Sequence, residues 1–167
     1  LNDGLIFVNN ALVGINVRDK LKIIASGKVA TGFDMVCKLA LGADMCNAAR
    51  SMMMATGCIQ SRQCNTNACP TGVATQNHRL ARGLVPQEKK VRVAHYHDAT
   101  VDSFLDIVGA MGCLNPDDLN PEHIVRRISP GTIKNYSEIY EYLEPGELLK
   151  DFSKMNCSFK AHWKKAN

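Results

Sequence analysis

Apolar positions along this chain fall into blocks of different period. Leu5 to Ile15 (LIFVNNALVGI) is strongly apolar but interrupted by Asn9-Asn10, which reads as a buried helix whose polar pair faces a neighbour. After the charged turn Arg18-Asp19-Lys20, the segment Leu21 to Ala25 is short and β-branched at Ile23-Ile24. Ser26-Gly27 stops it, the signature of a buried strand. Thr31 to Leu41 carries Phe33, Val36, Cys37, Ala40 and Leu41 at helical spacing, and Gly42 ends it. Ala43 to Ala48 is a second short apolar segment. Strand, helix, strand with such short connections predicts a βαβ unit in a parallel sheet.

Ser51 to Gln76 sustains no period. Met, Gly, Cys, Asn and Thr dominate it, and it is long for a plain connection, so it needs an internal staple. From Pro86 to Met111 the helical pattern returns, with Val91, Ala94, Val101, Phe104, Leu105 and Val108 expected on one side. Pro86 suits the first turn, Glu88 the positive end and Gly112 the stop. Beyond it, turn signals (Asn115-Pro116, Asn120-Pro121, Ser129-Pro130-Gly131, Pro145-Gly146) alternate with short amphipathic pieces such as Glu122 to Ile128 and Tyr136 to Leu143, which read as a helical tail wrapping a core. There are no internal repeats and no low-complexity stretch.

Composition narrows the class. The chain has 167 residues, 46% apolar and 22% charged, the profile of an ordered domain rather than a disordered segment. It opens on Leu1-Asn2-Asp3-Gly4 and an apolar run, which reads as entry into the middle of a longer polypeptide. No stretch approaches the roughly 20 apolar residues of a membrane span. The net charge of +4 is modest and scattered, apart from Lys89-Lys90 with Arg92, Arg126-Arg127 and Lys164-Lys165. With no recognition motif beside them, these read as a solvated face rather than a nucleic-acid surface. Seven cysteines is an odd number, and three crowd together, which favours a reducing compartment and a metal or cluster role over a disulfide framework.

Two short motifs point to phosphate. Ile24-Ala25-Ser26-Gly27-Lys28 ahead of a helix is what an anion site at a strand end requires: Gly27 admits close backbone approach and Lys28 adds charge. By itself a Gly after a strand is more often merely a turn. The second segment ends in Ala48-Ala49-Arg50, where small residues again admit close approach and an arginine can pair bidentately with phosphate.

The cysteines follow directly. Gly57 to Gln76 contains Cys58, Cys64 and Cys69 as C-x5-C-x4-C followed by Pro70. Three thiolates on one flexible loop can converge on a polynuclear centre, sulfur suiting iron or zinc. Structural zinc prefers four ligands in paired C-x2-C knuckles, and no such pair exists in the sequence, although His78 is available as a fourth ligand. A disulfide would strand one thiol, and buried packing cysteines rarely punctuate a polar loop at these intervals. A cluster with three protein ligands fits the count, and a three-iron, four-sulfide cluster is the natural candidate. Cys37, Cys46, Cys113 and Cys157 are isolated and read as packing residues. Asn9, Asn10, Asn65, Asn67 and Gln76 read as satisfied polar groups rather than substrate contacts. His95 and His97 cannot form an i, i+4 ligand pair.

The strand-end motifs resemble FMN-binding (β/α)8 barrels, in which a strand ending Asp-Gly-Gly and a final strand ending Gly-Arg jointly hold the flavin phosphate. Ser26, Gly27 and Lys28, and Ala49 and Arg50, occupy those places; Ser26 replaces the acid, and Lys28 and Ala49 replace glycines. The cysteine loop closely resembles the cluster loop of glutamate synthases, in wording nearest the smaller FMN-binding glutamate synthase-like proteins. The resemblance runs from Phe7-Val8-Asn9-Asn10-Ala11-Leu12 through Gln76 and more loosely to about Tyr142. It implies an α/β fold: the carboxy-terminal part of a (β/α)8 barrel. Residues 1–50 would be its last strand–helix units, 51–85 the iron–sulfur loop, 86–113 the final barrel helix and 114–167 a helical tail.

The resemblance further implies a cytoplasmic FMN and 3Fe-4S oxidoreductase that makes glutamate from 2-oxoglutarate and ammonia, supplied directly or from glutamine, with electrons from a donor protein or subunit. No nucleic acid is implied as a partner. Residues 1 to 167 alone are expected to bind FMN poorly, expose an apolar sheet edge and lack activity. Two alternatives stay open at this level: an N-methylglutamate synthase-type subunit using an amine, and a non-catalytic iron–sulfur electron-transfer module.

Overall fold

The computed structural model describes residues 1–150 and 159–160. Its elements are mixed α/β and fall into two units, one of Leu1–Ala25, Met35–Cys46 and the described part of Val108–Asn167, the other of Ser26–Asp34 and Asn47–Ile107.

In the first unit, helix α1 (Asn2–Gly14) buries Leu5, Ile6 and Asn10. The Asn pair has separate jobs. Asn10, 2% exposed, donates through Nδ2 to the Glu141 carbonyl at 2.8 Å and accepts the Leu143 amide at 3.2 Å. Asn9 accepts from Arg18 Nε at 2.7 Å. Both are therefore satisfied structural amides, as their sequence context suggested.

Strands β1 (Ile24–Ser26) and β2 (Met45–Asn47) are hydrogen-bonded neighbours, with helix α2 (Gly32–Ala40) between them in sequence. The expected strand–helix–strand order is present. Each strand is shorter than its apolar run, because Ile23 and Asp44 are used differently: the Asp44 carboxylate accepts the Ile23 amide at 2.7 Å and pairs with Arg18 at 2.8 Å and Lys22 at 3.1 Å. Burial pushes the Asp44 carboxyl up, but the Ile23 amide, Lys22 and Arg18 outweigh it and hold the group below its ordinary value. The core beside this pair is Leu5, Ile6, Ala25, Leu41 and Ala43, with Ile23 and three tyrosines, Tyr136, Tyr140 and Tyr142, packed against it. A second cluster joins Leu143, Leu148 and Phe159, and Phe7 stacks on Phe159 with centroids 4.6 Å apart.

Within the expected helical tail, whose residues 151–158 and 161–167 lie outside the described residues, the structure has a β-hairpin. Val125–Ser129 (β3) and Thr132–Asn135 (β4) pair antiparallel, Arg126 opposite Lys134 and Arg127 opposite Ile133, with an irregularity between Arg127 and Ser129 that leaves Ile128 as an extra residue. Glu122 to Ile128 is thus not an amphipathic helix. Its β-branched, alternating half and the Pro130-Gly131 turn prevail over the local helical spacing. Among the described residues from 115 to 150, helical structure is confined to single turns, among them α6 (Tyr136–Ile139), capped reciprocally by Asn135 and Glu138. Cys157 lies outside the described residues.

The second unit contains α3 (Ala49–Ala55), α4 (His78–Ala81) and most of the 25-residue helix α5 (Pro86–Ala110). On α5, Phe104 and Val108 are buried, but Val91, Ala94 and Leu105 are exposed, so the predicted apolar stripe is covered only toward its carboxy-terminal end. Gly112 does stop α5: the Gly112 amide bonds Gly109 at 3.0 Å and the Cys113 amide bonds Val108 at 3.1 Å, the double closure of a Schellman motif. Among the described residues no helix is long and apolar enough to cross a membrane.

Candidate functional site

All five phosphate candidates and all three loop cysteines belong to the second unit. Ser26 ends β1. Gly27 follows with φ of 109°, a value that glycine adopts freely and L residues do not. Lys28 then takes φ of 53°, left-handed although it has a side chain. Lys28 thus holds, with a side chain, a conformation that glycine favours, at a cost of order 1–2 kcal/mol. Such strain tends to persist where surrounding structure over-determines it.

That surrounding structure is visible. The Ser51 hydroxyl, in a residue 8% exposed, donates to the Val29 carbonyl at 2.9 Å. The Tyr96 hydroxyl of α5 donates to the next carbonyl, Ala30, at 2.5 Å. Asp34 accepts the amides of Ala30 and Thr31 at 3.1 and 3.0 Å, so the start of α2 already carries its own carboxylate. What remains for an anion is the Gly27-Lys28 turn upstream of it. Ser26, Gly27, Lys28, Ala49 and Arg50 are all exposed.

Ala49 and Arg50 are not on a strand end. β2 stops at Asn47, and Ala49 and Arg50 open α3. The assumed irregular loop from Ser51 is likewise helical as far as Ala55. Ala-Arg-Ser-Met-Met-Met-Ala has strong helix formers, and at two turns it is too short to show a period.

The cysteine loop begins where α3 ends. Gly57 bonds Met54 at 2.9 Å and Cys58 bonds Met53 at 3.0 Å, the same Schellman closure, so the Cys58 backbone is held by the helix. Cys58 is half-buried, Cys64 exposed and Cys69 buried. The Cys69 sulfur lies 3.5 Å from the Thr71 hydroxyl. That hydroxyl, followed by the amides of Ala74, Thr71 and Val73, brings the Cys69 thiol down to about 7 against the opposing effect of desolvation. The loop therefore favours the thiolate form of Cys69.

The expected internal staple is an asparagine. Asn67 Oδ1 accepts the Gln76 amide at 2.6 Å and the Thr75 hydroxyl at 3.0 Å, closing the carboxy-terminal part of the loop without a metal. Gln60, Arg62 and Asn67 all have φ between 57° and 61°, an unusual concentration of left-handed non-glycine residues. Gly72 has φ of 78°, and a Cβ there would meet the Leu80 carbonyl at 2.5 Å, so only glycine fits. Among the described residues no three His, Cys, Asp or Glu side chains are gathered closely enough to hold a metal ion. The structure therefore places Cys58, Cys64 and Cys69 on one loop without bringing their side chains together.

The remaining candidates are peripheral. His78 starts α4, and His95 and His97 are exposed on α5. Cys37, Cys46 and Cys113 are half-buried, and burial raises Cys46 despite Lys38 nearby. Sequence reasoning missed Ser51, Thr71 and Tyr96. Only Thr71 had a local signal, its hydroxyl two residues beyond Cys69 in Cys-Pro-Thr.

Such a unit, a strand-end turn, a short helix and then a three-cysteine loop, belongs to a mixed α/β protein. Residues 1–114 match the family described as conserved region in glutamate synthase, and the chain belongs to that family. It is 39% identical over 132 residues to the glutamate synthase large subunit-like protein YerD of Bacillus subtilis, covering 79% of this chain and 25% of that protein. It is 32% identical over 127 residues to the ferredoxin-dependent glutamate synthase of Pyropia yezoensis, covering 72% and 8% respectively. With the archaeal glutamate synthase (NADPH) of Methanocaldococcus jannaschii it shares 34% identity over 96 residues, 58% of this chain and 19% of that one. The chain thus spans a quarter or less of the length of these relatives.

Proposed function

We propose that this chain supplies the flavin-phosphate grip and the cluster loop of a glutamate synthase-type oxidoreductase. The reaction is reduction of 2-iminoglutarate, formed from 2-oxoglutarate and ammonia, to L-glutamate. The ammonia is supplied directly or released from glutamine, and electrons come from a donor protein or subunit. The setting is cytoplasmic, and nucleic acid has no part in it. The strand–helix–strand segment is taken as the last units of a (β/α)8 barrel, whose phosphate site falls at the ends of its final strands.

The observation that carries this reading is the order within one unit: the Gly27-Lys28 turn, Arg50 at the start of α3, and a cysteine loop that starts where α3 stops. FMN would be held at its phosphate by the Gly27 and Lys28 backbone and by Lys28 and Arg50 as cations, with Ser26 and Ala49 allowing close approach. Cys58, Cys64 and Cys69 would ligate a 3Fe-4S cluster. The donor chemistry fits: three soft thiols, one of them already stabilised as thiolate by its own loop. When bound, the two groups supply hydride transfer and one-electron transfer respectively. The residues themselves bind, fix spacing and set local charge.

The test is spectroscopic. The native full-length polypeptide, reconstituted anaerobically with iron, sulfide and FMN, is expected to show flavin and iron–sulfur absorption together. Cys69→Ser is expected to remove the iron–sulfur bands while leaving flavin bound. An iron–sulfur spectrum with no FMN retained would overturn the oxidoreductase reading.

A further inference from the structure

We infer that Ser51 and Tyr96 are positioning residues for the FMN phosphate, two hydroxyls that hold the Gly27-Lys28 turn in its anion-receiving shape without touching the anion themselves. The inference rests on the phosphate reading above and extends it to residues outside any motif.

The turn has a conformational problem. Lys28 at φ of 53° is not where an isolated lysine would rest, and the chain must be held there from one side or the other. Upstream, Ser26 is the last residue of β1. Downstream, two successive carbonyls are anchored by side chains distant in sequence. Val29 accepts from Ser51 Oγ at 2.9 Å and Ala30 accepts from Tyr96 Oη at 2.5 Å.

Ser51 also lies 3.3 Å from the Ala48 carbonyl. One hydroxyl thus joins the residue after Lys28 to the residue before Ala49. The residues flanking the two candidate phosphate motifs, more than twenty positions apart in sequence, thus lie within reach of one oxygen, whose single proton favours the nearer Val29 carbonyl. A serine whose only bond were to the carbonyl three residues back would be an ordinary helix back-bond. The bond to Val29 is shorter, and both Ser51 (8% exposed) and Val29 (5%) are buried, so water cannot replace it cheaply. Val29 is held inside while Lys28 beside it is outside, which is how a phosphate turn is presented to a ligand by a fixed base.

Each hydroxyl therefore acts on phosphate affinity, not on the isoalloxazine ring. FMN and riboflavin separate the two, since they differ only by the phosphate. In the native full-length polypeptide, dissociation constants for both are read by quenching of flavin fluorescence, with melting temperature recorded for every variant. Wild type is expected to prefer FMN strongly. Ser51→Ala, which loses a buried hydrogen bond, is expected to weaken FMN roughly tenfold, and Tyr96→Phe, which loses an exposed one, roughly threefold, both leaving riboflavin unchanged.

If both variants keep the wild-type FMN-to-riboflavin ratio, whether their affinities are unchanged or fall together, the hydroxyls are structural and the inference is overturned. If wild type itself does not discriminate FMN from riboflavin, the phosphate reading fails first and takes the inference with it. The wild-type ratio separates those two failures.

Discussion

Thr71 offers the sharpest test of the cysteine loop. Its hydroxyl is the largest influence on Cys69, whose thiol is brought down from an ordinary value of 9.0 to about 7. At pH 7 a group titrating at 7 is about half thiolate, and one titrating at 9 about one part in a hundred, so the two differ roughly fiftyfold in reactive form. Thr71→Val keeps the shape and β-branching and removes the donor. In cluster-free protein, the rate of Cys69 carbamidomethylation, followed by site-resolved mass spectrometry between pH 5 and 10, is expected to have its midpoint near 7 in wild type. The variant's midpoint is expected to move toward 9, with a several-fold to tenfold slower reaction at pH 7. The amides of Ala74 and Val73 remain, so the full fiftyfold loss is not expected.

The sign of the linked stability follows. The folded value lies below the unfolded one, so thiolate at Cys69 adds stability that is complete above about pH 9 and is lost as pH falls through about 7. An unchanged midpoint in Thr71→Val would refute the assignment of Thr71 as the main donor. A wild-type midpoint near 9 would refute the thiolate site altogether.

Three further outcomes follow from single residues. Asn10→Leu is expected to destabilise the protein by about 2–3 kcal/mol in urea denaturation, since it leaves the buried Leu143 amide without its acceptor and removes the bond to the Glu141 carbonyl; a change under 1 kcal/mol would contradict it. Gly72→Ala is expected to cost at least 2 kcal/mol or so and to increase proteolytic nicking between Cys69 and Leu80, because φ of 78° and a Leu80 carbonyl 2.5 Å from the new Cβ leave no room. Asp44→Asn is expected to lower stability at pH 7 and flatten its fall in acid. The wild-type carboxylate, held below its unfolded value by Ile23, Lys22 and Arg18, contributes above that unfolded value and loses its contribution as pH drops through the folded one. Identical acid limbs in the two proteins would refute that.

Much of the chain as far as Gly112 was legible because local signals agree with one another there. Apolar blocks, Gly42 and Gly112 stops, and Pro86 at a helix start all act within a few residues of themselves. Legibility failed where two periods compete over a short span. Val125 to Asn135 is all exposed or half-exposed, so no burial pattern enforces a period, and its turn chemistry and β-branching decide for a hairpin. On α5 the apolar positions were correctly placed at helical spacing, but spacing cannot say which part of a 25-residue face is covered.

The sequence by itself determined which residue types stand at the candidate site and in what order: Gly27 and Lys28, then Arg50, then three cysteines at fixed intervals. These are properties of the covalent chain and survive any packing. Tertiary structure alone decided that Lys28 takes a glycine's backbone angle and that Ser51 and Tyr96 hold the residues after it. It also decided that Cys69, rather than Cys64, is buried among donors. Hydrogen bonds between residues twenty to sixty-six positions apart carry no local signal in sequence, because nothing near either partner changes when the bond forms.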